Sequence, residues 1–278
     1  KMYIQEADDV DGTVYYRYAQ MLKANQKFDE SNEAMKKFAS KSPNDERAKA
    51  FKANPDYLPK LLSGDPKFTV DAISFNTELS DFGGYEYNDK LYFVSARNKS
   101  RRNYGWNDQP TLDVYVATKE NGEYQNPEEL KGEVNSKYHE GTVSITPDGK
   151  TMFFTRNNYL DGDYEKSSEG IGKLKIYKAN LVNGKWDDVQ ELPFNSDEYS
   201  TGHTALSPDG KTLYFSSDMP GGMGMSDLYK VSINEDGSFG EPENLGSSIN
   251  TEARESFPYI DSEGTLYFSS DGQLGIGG

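Results

Sequence analysis

The amino-acid sequence predicts a mainly β protein: a β-propeller of four-stranded blades, preceded by a short α-helical segment. Three observations support this fold class. A turn followed by an aromatic strand recurs along the chain, Asn-Gly and Asp-Gly dipeptides mark further hairpins, and the 278 residues include 20 tyrosines and 26 glycines. Only the first part of the chain has the apolar spacing that is typical of helices.

The repeated unit is clearest in residues 207–218, which read SPDGKTLYFSSD. Pro-Asp-Gly favours a turn and the aromatic run favours a strand, so the unit predicts a β-hairpin. Related sequences occur at residues 88–97, 146–156 and 261–271. The central aromatic residues of the four copies are Tyr92, Phe153, Tyr214 and Tyr267. Their separations of 61, 61 and 53 residues are on the order of the longer propeller-blade periods.

Each copy lies in a longer repeat whose parts keep one order. A corner led by asparagine precedes the hairpin, and a loop of variable length follows it. A strand ending in tyrosine comes next, and then a turn with a short last strand. The corner asparagines are Asn76, Asn135, Asn195 and Asn250. Four strands per repeat is the architecture of a propeller blade.

These repeats predict a propeller domain over residues 65–278. They account for about three and a half blades, whereas closed propellers have roughly four to eight. Because each blade covers its faces only with neighbouring blades, we expect the propeller to be incomplete at the C-terminus, with further blades beyond Gly278.

Residues 1–64 are predicted to be helical, because their apolar residues recur at helical spacing. The first helix pair resembles one tetratricopeptide repeat in its aromatic, small and proline positions, which are Tyr15, Ala19, Leu22, Phe28, Ser31 and Pro43. Gln26 and Phe38 depart from that pattern. A lone repeat cannot bury its own face, so we expect the C-terminal end of a longer array. The alternative is a plain helical hairpin that packs on the next domain.

Two shorter helices are expected to follow this pair. Asn44 is predicted to cap the first of them, with acidic residues at the favourable end of the helix. Asn54-Pro55 is predicted to begin the second, because proline suits the first helical position.

The charge and composition exclude several classes of function. A net charge of −16 argues against binding to nucleic acid or to an anionic membrane surface, because phosphate contacts need clustered lysine and arginine. The absence of cysteine excludes disulfides, thiol chemistry and cysteine-based zinc sites. No run of about 18 apolar residues is present to span a membrane.

Longer motifs carry a family resemblance. Residues 202–210 read GHTALSPDG, residues 213–221 read LYFSSDMPG, and residues 269–278 read SSDGQLGIGG. These motifs resemble the WD40-like, TolB-type propeller of OmpA-family outer-membrane-associated proteins of Bacteroidetes. Residues 16–20 and 45–51 also look like that family, so the resemblance covers nearly the whole chain.

The resemblance implies a function and a location. Such proteins carry tetratricopeptide repeats, this propeller and a C-terminal OmpA-like domain that binds peptidoglycan, and many are lipoproteins. They are similar to the PorE component of the type IX secretion system and often accompany a barrel of the PorP/SprF type. The lipid-bearing cysteine and the peptidoglycan-binding domain are not in this sequence, so anchoring at the periplasmic face of the outer membrane is implied by the family alone.

No residues form a catalytic or metal-binding pattern. The two histidines, His139 and His203, lie at corners where a bond to a neighbouring blade is a simpler role than catalysis. Residues 161–165 read DGDYE and alternate acidic side chains as a calcium loop does, yet they lack its glycine and its distal glutamate. Residues 224–228 read GMSDL and fail the Gly-x-Ser-x-Gly nucleophile pattern at its last position. We therefore expect no catalytic residue, cofactor or metal.

Two variable loops are predicted to contact a partner protein. Residues 98–106 are the main basic and aromatic cluster of this acidic chain, and residues 219–225 are rich in flexible methionine. The candidate contact residues are Arg101, Arg102, Tyr104, Trp106, Met219, Met223 and Met225. The alternative is that Trp106 and the methionines pack over the adjacent blade.

Together these observations predict a non-catalytic periplasmic scaffold. It would bind an outer-membrane barrel or a type IX secretion component, and peptidoglycan through a domain outside this sequence. Two alternatives remain open, the propeller domain of a hydrolase and a propeller that binds glycans.

Overall fold

The computed structural model describes residues 10–64 and 68–276. Four helices come first, and a series of antiparallel β-sheets follows, so the chain is mainly β as predicted. The predicted domain boundary adjoins residues 65–67, which lie outside the described residues. Within the described ranges, none of the helices has the length and apolarity needed to cross a bilayer.

The helices lie in the region where the spacing of apolar residues predicts helices. They are α1 (Gly12–Ala24), α2 (Phe28–Lys41), α3 (Glu46–Ala53) and α4 (Tyr57–Leu62). Helices α1 and α2 pack closely, and the Ser31 hydroxyl donates a hydrogen bond to the Ala19 carbonyl at 3.0 Å. The prediction that Asn44 caps α3 is wrong: Asp45 is the N-cap residue, and its carboxylate accepts from the Arg47 amide at 2.9 Å. Helix α4 begins at Tyr57, after a turn that contains Pro55.

The helical segment packs against the far end of the chain. The Tyr16 hydroxyl donates to the carbonyl of Asp271 at 2.5 Å, and Leu274 packs on the helical core. The buried Lys23 ammonium donates to the Gly275 carbonyl at 3.3 Å. The Glu46 amide donates to a carboxylate oxygen of Glu252 at 2.8 Å. The helices therefore contact the last described sheet.

The strands form three four-stranded antiparallel sheets and a final pair, in chain order. Sheet 1 contains β1 (Asp81–Tyr87), β2 (Lys90–Ser95), β5 (Asp113–Glu120) and β6 (Glu123–Glu129). Sheet 2 contains β7 (Glu140–Ile145), β8 (Thr151–Asn157), β11 (Leu174–Val182) and β12 (Lys185–Glu191). Sheet 3 contains β13 (Thr201–Leu206), β14 (Thr212–Ser217), β15 (Asp227–Ser232) and β16 (Glu243–Asn244). Sheet 4 contains β17 (Glu255–Ile260) and β18 (Leu266–Ser270).

Two short hairpins lie between the second and third strands of sheets 1 and 2. They are formed by β3 (Asn103–Tyr104) with β4 (Gln109–Pro110), and by β9 (Tyr159–Leu160) with β10 (Asp163–Tyr164). The predicted third strands are present, but they run on beyond their tyrosines. Tyr115, for example, is the third residue of β5 and not its end.

The four predicted aromatic residues occupy equivalent positions in successive sheets. Each lies in the second strand of its sheet. In every sheet, the residue three positions further along the chain pairs with the first residue of the first strand. For Tyr92 and Tyr267, that residue is Ser95 and Ser270. Each first strand also shifts register at the same place, which is the mark of a β-bulge. The repeat read from the sequence is therefore a repeat of structure.

Neighbouring sheets bury their faces against each other. Tyr92 of sheet 1 shares an apolar core with Phe154 of sheet 2, and Phe153 shares the next core with Phe215 of sheet 3. In sheet 4 the equivalent Tyr267 is 44 % exposed, and no described element covers that face. The repeated layout is the one expected of propeller blades.

The corner asparagines join each sheet to the one before it. The Asn135 side chain accepts from the Val114 amide at 2.7 Å and donates to the Val114 carbonyl at 3.0 Å. Asn195 and Asn250 make the same pair of bonds to Ile176 and Leu228. One asparagine side chain can hydrogen-bond to both the amide and the carbonyl of a residue in a buried third strand, so asparagine suits this corner.

Candidate functional site: the loop face

The variable loops and the corners lie on one face of the sheets, which we call the loop face. It comprises the second-to-third strand loops (residues 96–112, 158–173 and 218–226) and the corners before each first strand (residues 130–139, 192–200 and 245–254). Hydrogen bonds join the two sets. The Leu112 amide donates to His139 Nδ1 at 3.2 Å, and the Met225 amide donates to the Ala253 carbonyl at 2.7 Å.

A buried charge stands at the start of every third strand in the three complete sheets. These residues are Asp113, Lys175 and Asp227, of which none is more than 6 % exposed. Lys175 lies 2.8 Å from carboxylate oxygens of both Glu191 and Asp197. A buried charge without a partner is costly in free energy. Each of these residues therefore holds in place the segment that supplies its ion-pair or hydrogen-bond partner.

Arg101, a predicted contact residue, is the partner of Asp113. Its Nε donates to Asp113 Oδ2 at 2.9 Å, and its Nη2 lies 2.7 Å from Oδ1 and 3.3 Å from Glu129. The Asp113 carboxylate raises the pKa of the Arg101 guanidinium further above its ordinary value. Arg101 is therefore bound within the chain and anchors the base of the loop.

Beyond this anchor, strands β3 and β4 carry the aromatic residues outward. The Asp108 amide donates to the Tyr104 carbonyl at 2.9 Å, which closes the hairpin around Gly105 and Trp106. Trp106 is 87 % exposed and Tyr104 is 49 % exposed. Arg102 is also exposed, and its side chain makes no hydrogen bond or ion pair within the described residues. The alternative in which Trp106 packs over the adjacent sheet is wrong.

Tyr104 continues into a cluster of tyrosines that are not among the predicted contact residues. Its ring meets His139 edge to face, with centroids 4.7 Å apart. Tyr138 stacks on Tyr164 at 4.4 Å and lies 5.0 Å from Tyr159. Burial raises the pKa of Tyr164, and so do the neighbouring hydroxyls of Tyr138 and Tyr104. With Trp106, these residues form what we call the aromatic surface: Tyr104, Trp106, Tyr138, Tyr159 and Tyr164.

The methionine loop is held much closer to its sheet. The Met223 and Gly224 amides donate to the buried Asp227 carboxylate at 2.5 and 3.0 Å. Met219 packs against the core of sheet 3. Met225 is 50 % exposed, although its amide is bonded to the next corner. Of the three predicted methionines, Met225 presents the largest free surface.

His139 lies in the corner before sheet 2, whereas His203 lies in the first strand of sheet 3. His139 accepts from the Leu112 amide through Nδ1, and burial lowers its pKa. The His203 ring lies 3.9 Å from that of Phe257, and burial lowers the pKa of His203 to about 4. The His203 imidazole is therefore neutral at pH 7. The bond from His139 to a neighbouring sheet is the role expected from the sequence.

The corner of sheet 2 also contains a buried ion pair. Arg156 Nε lies 3.3 Å from Glu140, and Arg156 Nη2 donates to the carbonyls of Glu133 and Val134 at 2.6 and 2.7 Å. Burial raises the pKa of Glu140, while the Ser136 hydroxyl and the Arg156 charge act in the opposite direction. The pair ties the corner that carries Tyr138 to the core.

The acidic loop and the serine motif can both be compared with the requirements of a metal site and of a nucleophile. Across residues 10–64 and 68–276, no three His, Asp or Glu side chains are grouped closely enough to hold a metal ion. Ser226, in the imperfect nucleophile motif, contacts the Ser216 hydroxyl at 2.6 Å and donates to the Glu255 carbonyl at 3.2 Å. Neither partner is a general base, so Ser226 has a structural role.

The sequence matches no protein-family model and no curated protein. Among solved structures, a puromycin hydrolase is similar at 16 % identity and a TM-score of 0.41, over 71 % of this chain and 36 % of that protein. A puromycin-hydrolyzing peptidase of Mycobacterium tuberculosis is similar at 15 % identity and a TM-score of 0.40, over 69 % and 27 %. A thermostable family-43 glycoside hydrolase is similar at 10 % identity and a TM-score of 0.42, over 67 % and 63 %.

The chain thus spans about a third of the length of the puromycin hydrolase that it matches. Likenesses of this size carry no argument about the activity of this chain.

Proposed function

We propose that this chain is the propeller part of a non-catalytic scaffold that binds a protein partner through its loop face. The observation that carries the proposal is Trp106, 87 % exposed on a hairpin whose base is fixed by the bonds of Arg101 to the buried Asp113. A large aromatic side chain that is exposed on such a hairpin contributes little to the stability of its own fold. Such residues are the usual energetic centres of protein interfaces.

The aromatic surface has the chemistry of a protein-binding surface. Tyrosine and tryptophan bury a large area at a small cost in conformational entropy, and their polar groups can bond to a partner. The hydroxyls of Tyr104, Tyr138 and Tyr159 make no hydrogen bond within the described residues. They are therefore free to bond to a partner without breaking an internal contact.

The repeated sheets support the propeller part of the proposal. Sheets of one strand order and one register, each buried against the next, are the blades of such a fold. We propose that the helices of residues 10–64 are the end of a tetratricopeptide-like array. The Ser31 contact with Ala19 supports this, because small residues let paired helices approach closely.

The partner and the location rest on the family resemblance of the propeller motifs. We propose an outer-membrane barrel of the PorP/SprF type or a type IX secretion component as partner, at the periplasmic face of the outer membrane. Peptidoglycan would be bound by an OmpA-like domain that lies outside these residues, and a lipid anchor would likewise lie outside them.

Capture of a purified PorP/SprF-type barrel by the immobilised chain tests the proposal. Trp106→Ala combined with Arg102→Ala is expected to weaken capture at least tenfold. Leu181→Ala is the matched control, because Leu181 is 45 % exposed and lies in β11, outside the loop face. Capture that is equal for the double variant, the control and the unmodified chain would reject the aromatic surface as the binding site.

A further inference from the structure

Sheet 4 differs from the three complete sheets, because it has two strands and therefore an open edge. In sheets 1 to 3 the second strand also pairs with a third strand, as Phe215 does with Tyr229. Strand β18 pairs only with β17 among the described residues, and none of its residues Leu266–Ser270 is charged. An uncharged edge strand with unpaired amides and carbonyls is a template for the addition of another strand.

The corner before sheet 1 is built like the corner before sheet 4. The Thr77 amide and hydroxyl donate to Asp81 at 2.6 and 2.7 Å, as those of Thr251 donate to Glu255 at 2.9 and 2.8 Å. The other three corner asparagines each bond to a third strand. The Asn76 side chain is exposed and has no hydrogen-bond partner in residues 10–64 and 68–276. Asn76 is therefore positioned to bind a third strand in the same way.

Residues 68–70 lie where a fourth strand lies in the complete sheets. They precede Asn76 by six to eight residues, and strand β16 precedes Asn250 by six and seven residues. Phe68 and Val70 are exposed, and within the described ranges residues 68–70 pair with no strand. This segment therefore offers a second edge that a third strand could join.

Sheets 4 and 1 are neighbours on the inner side of the molecule. The first strands of all four sheets line one cavity, and the rings of Phe82 and Phe257 lie 6.2 Å apart across it. A strand added to β18 would extend sheet 4 towards residues 68–70 and the Asn76 corner. One added strand could therefore use both the open edge and the asparagine.

We propose that sheet 4 binds an extended segment of a partner protein by strand addition at β18, with Asn76 bonding to its backbone. In strand addition, main-chain hydrogen bonds supply affinity and alternate side chains supply specificity. The third strands of sheets 1 to 3 share a charged residue, an aliphatic residue and a tyrosine, in residues 113–115, 175–177 and 227–229, which read DVY, KIY and DLY. These three strands are already paired in their own sheets, so we assign the added strand to a partner with the same pattern.

The first residue of the added strand is expected to be basic. Glu191 lies four residues before Asn195, and its carboxylate is 2.8 Å from the Lys175 ammonium. Asp71 lies five residues before Asn76, is exposed and has no ion-pair partner in the part of the chain that the structure describes. A lysine at the head of the added strand would therefore pair with Asp71 as Lys175 pairs with Glu191.

The test uses a fluorescein-labelled peptide of residues 173–181, KLKIYKANL, which contains the third strand of sheet 2. Binding is measured by fluorescence anisotropy. A scrambled peptide of the same composition is expected to bind at least tenfold more weakly. A peptide with aspartate in place of Lys175 is expected to bind at least threefold more weakly, and Asp71→Asn should reduce that preference.

Two changes remove the bonds to Asn76 from opposite sides. Asn76→Ala is expected to weaken binding at least fivefold, because two hydrogen bonds are lost. In sheet 2 the Ile176 amide donates to the Asn195 side chain, so a peptide that is N-methylated at Ile176 lacks this donor. The methylated peptide should bind the unmodified chain at least threefold more weakly and should lose less affinity for Asn76→Ala.

A disulfide tests the register, because the chain has no cysteine of its own. In sheet 2, Lys178 pairs with Phe153, which is the equivalent of Tyr267. Tyr267→Cys should therefore form a disulfide with a peptide that carries cysteine in place of Lys178, and not with one that carries it in place of Asn180. This measurement keeps the test decisive if Asn76→Ala does not fold.

Four results would overturn the proposal: no binding of the peptide, equal binding of the lysine and aspartate peptides, binding that neither Asn76→Ala nor N-methylation weakens, or equal disulfide yields at the two cysteine positions. A dimer of the chain alone, cross-linked through Tyr267→Cys, would assign the edge to a second copy instead. Trp106→Ala is expected to bind the peptide as the unmodified chain does. Failure of strand addition is thereby separate from failure of the loop-face scaffold.

Discussion

Two loops hold the same place in sheets 1 and 3, residues 96–112 and residues 218–226, and they are built in opposite ways. Each runs from a second strand to a third strand that starts with a buried aspartate. In sheet 1 a side chain, Arg101, neutralises Asp113. In sheet 3 the backbone amides of Met223 and Gly224 and the Asn244 side chain bind Asp227.

The difference decides how far each loop projects. A long side chain reaches the buried carboxylate from a distance, so the backbone of the first loop is free to form a hairpin that carries Trp106 outward. Backbone amides reach the carboxylate only if the loop itself comes down onto the sheet, as it does around Gly224. One buried charge therefore supports either a projecting loop or a closed one.

The largest expected effect on stability comes from removing the buried Asp113 carboxylate at the base of the loop of residues 96–112, the projecting loop. Asp113→Ala should lower the free energy of unfolding by about 3 kcal/mol, because Arg101 and Asn98 lose a buried charged acceptor and Arg101 keeps only Glu129, at 3.3 Å, as a partner. Urea unfolding measures this, with the exposed Glu120→Ala in the same strand as control. Adding Arg101→Ala should restore part of the loss. If the double variant were no more stable than Asp113→Ala, the carboxylate would have another role than holding this loop.

One substitution made in both loops should give opposite results. A Cβ at Gly224 would lie 2.3 Å from the Thr251 carbonyl oxygen and 2.5 Å from that of Ala253, whereas a Cβ at Gly105 would meet nothing within 4 Å. Gly224→Ala should therefore cost about 2–3 kcal/mol of unfolding free energy, and Gly105→Ala should stay within about 0.5 kcal/mol of the unmodified chain. Equal costs at the two glycines would mean that the loops do not differ in how closely they pack.

Truncation of the apolar side chains should show a smaller contrast. Met219→Ala should cost about 1 kcal/mol, because Met219 is partly buried against the core of sheet 3. Trp106→Ala should change the free energy of unfolding by less than about 0.5 kcal/mol, because the Trp106 side chain is 87 % exposed. Thermal or urea unfolding is sufficient for both. A larger loss at Trp106 than at Met219 would contradict the assignment of Trp106 to binding.

The smallest effect is a pH dependence at the base of the projecting loop. His139 Nδ1 accepts from the Leu112 amide, and burial depresses the pKa of this histidine. Its stabilising contribution is therefore complete above the ordinary histidine pKa of about 6.5, and it declines as the pH falls below that value. Hydrogen-exchange protection of the Leu112 amide should fall a few-fold between pH 7.5 and 5, while that of Met225 should not. His139→Gln should remove the difference.

The features of the fold that depend on neighbouring residues in the chain were predictable from the sequence. The hairpin turns follow from Pro-Asp-Gly and Asn-Gly, whose preferred φ angles are set within four residues, and the equivalence of Tyr92, Phe153, Tyr214 and Tyr267 follows from them. The capping of α3 was placed one residue too early, because Asn44 and Asp45 both suit the role and only the chain path separates them.

The site was less predictable, because its contacts lie between sheets. The sequence marks Arg101 and Trp106 alike as interface residues, yet the first is bound by a carboxylate twelve residues away and the second is free. Tyr138 and Tyr164 come from a corner and a hairpin of sheet 2, and only the fold brings them beside Tyr104. The one available signal was the density of tyrosine around residues 138–164.

The contact between Tyr16 and Asp271 has a consequence for how the molecule is made. The two residues are 255 positions apart, so the helices are synthesised well before the strands on which they dock. Until β17 and β18 form, the helix surface around Tyr16 and Lys23 has to stay in water or find a temporary cover. Assembly of this junction should therefore be the slow step of folding, and the stage at which the nascent chain is most exposed to aggregation.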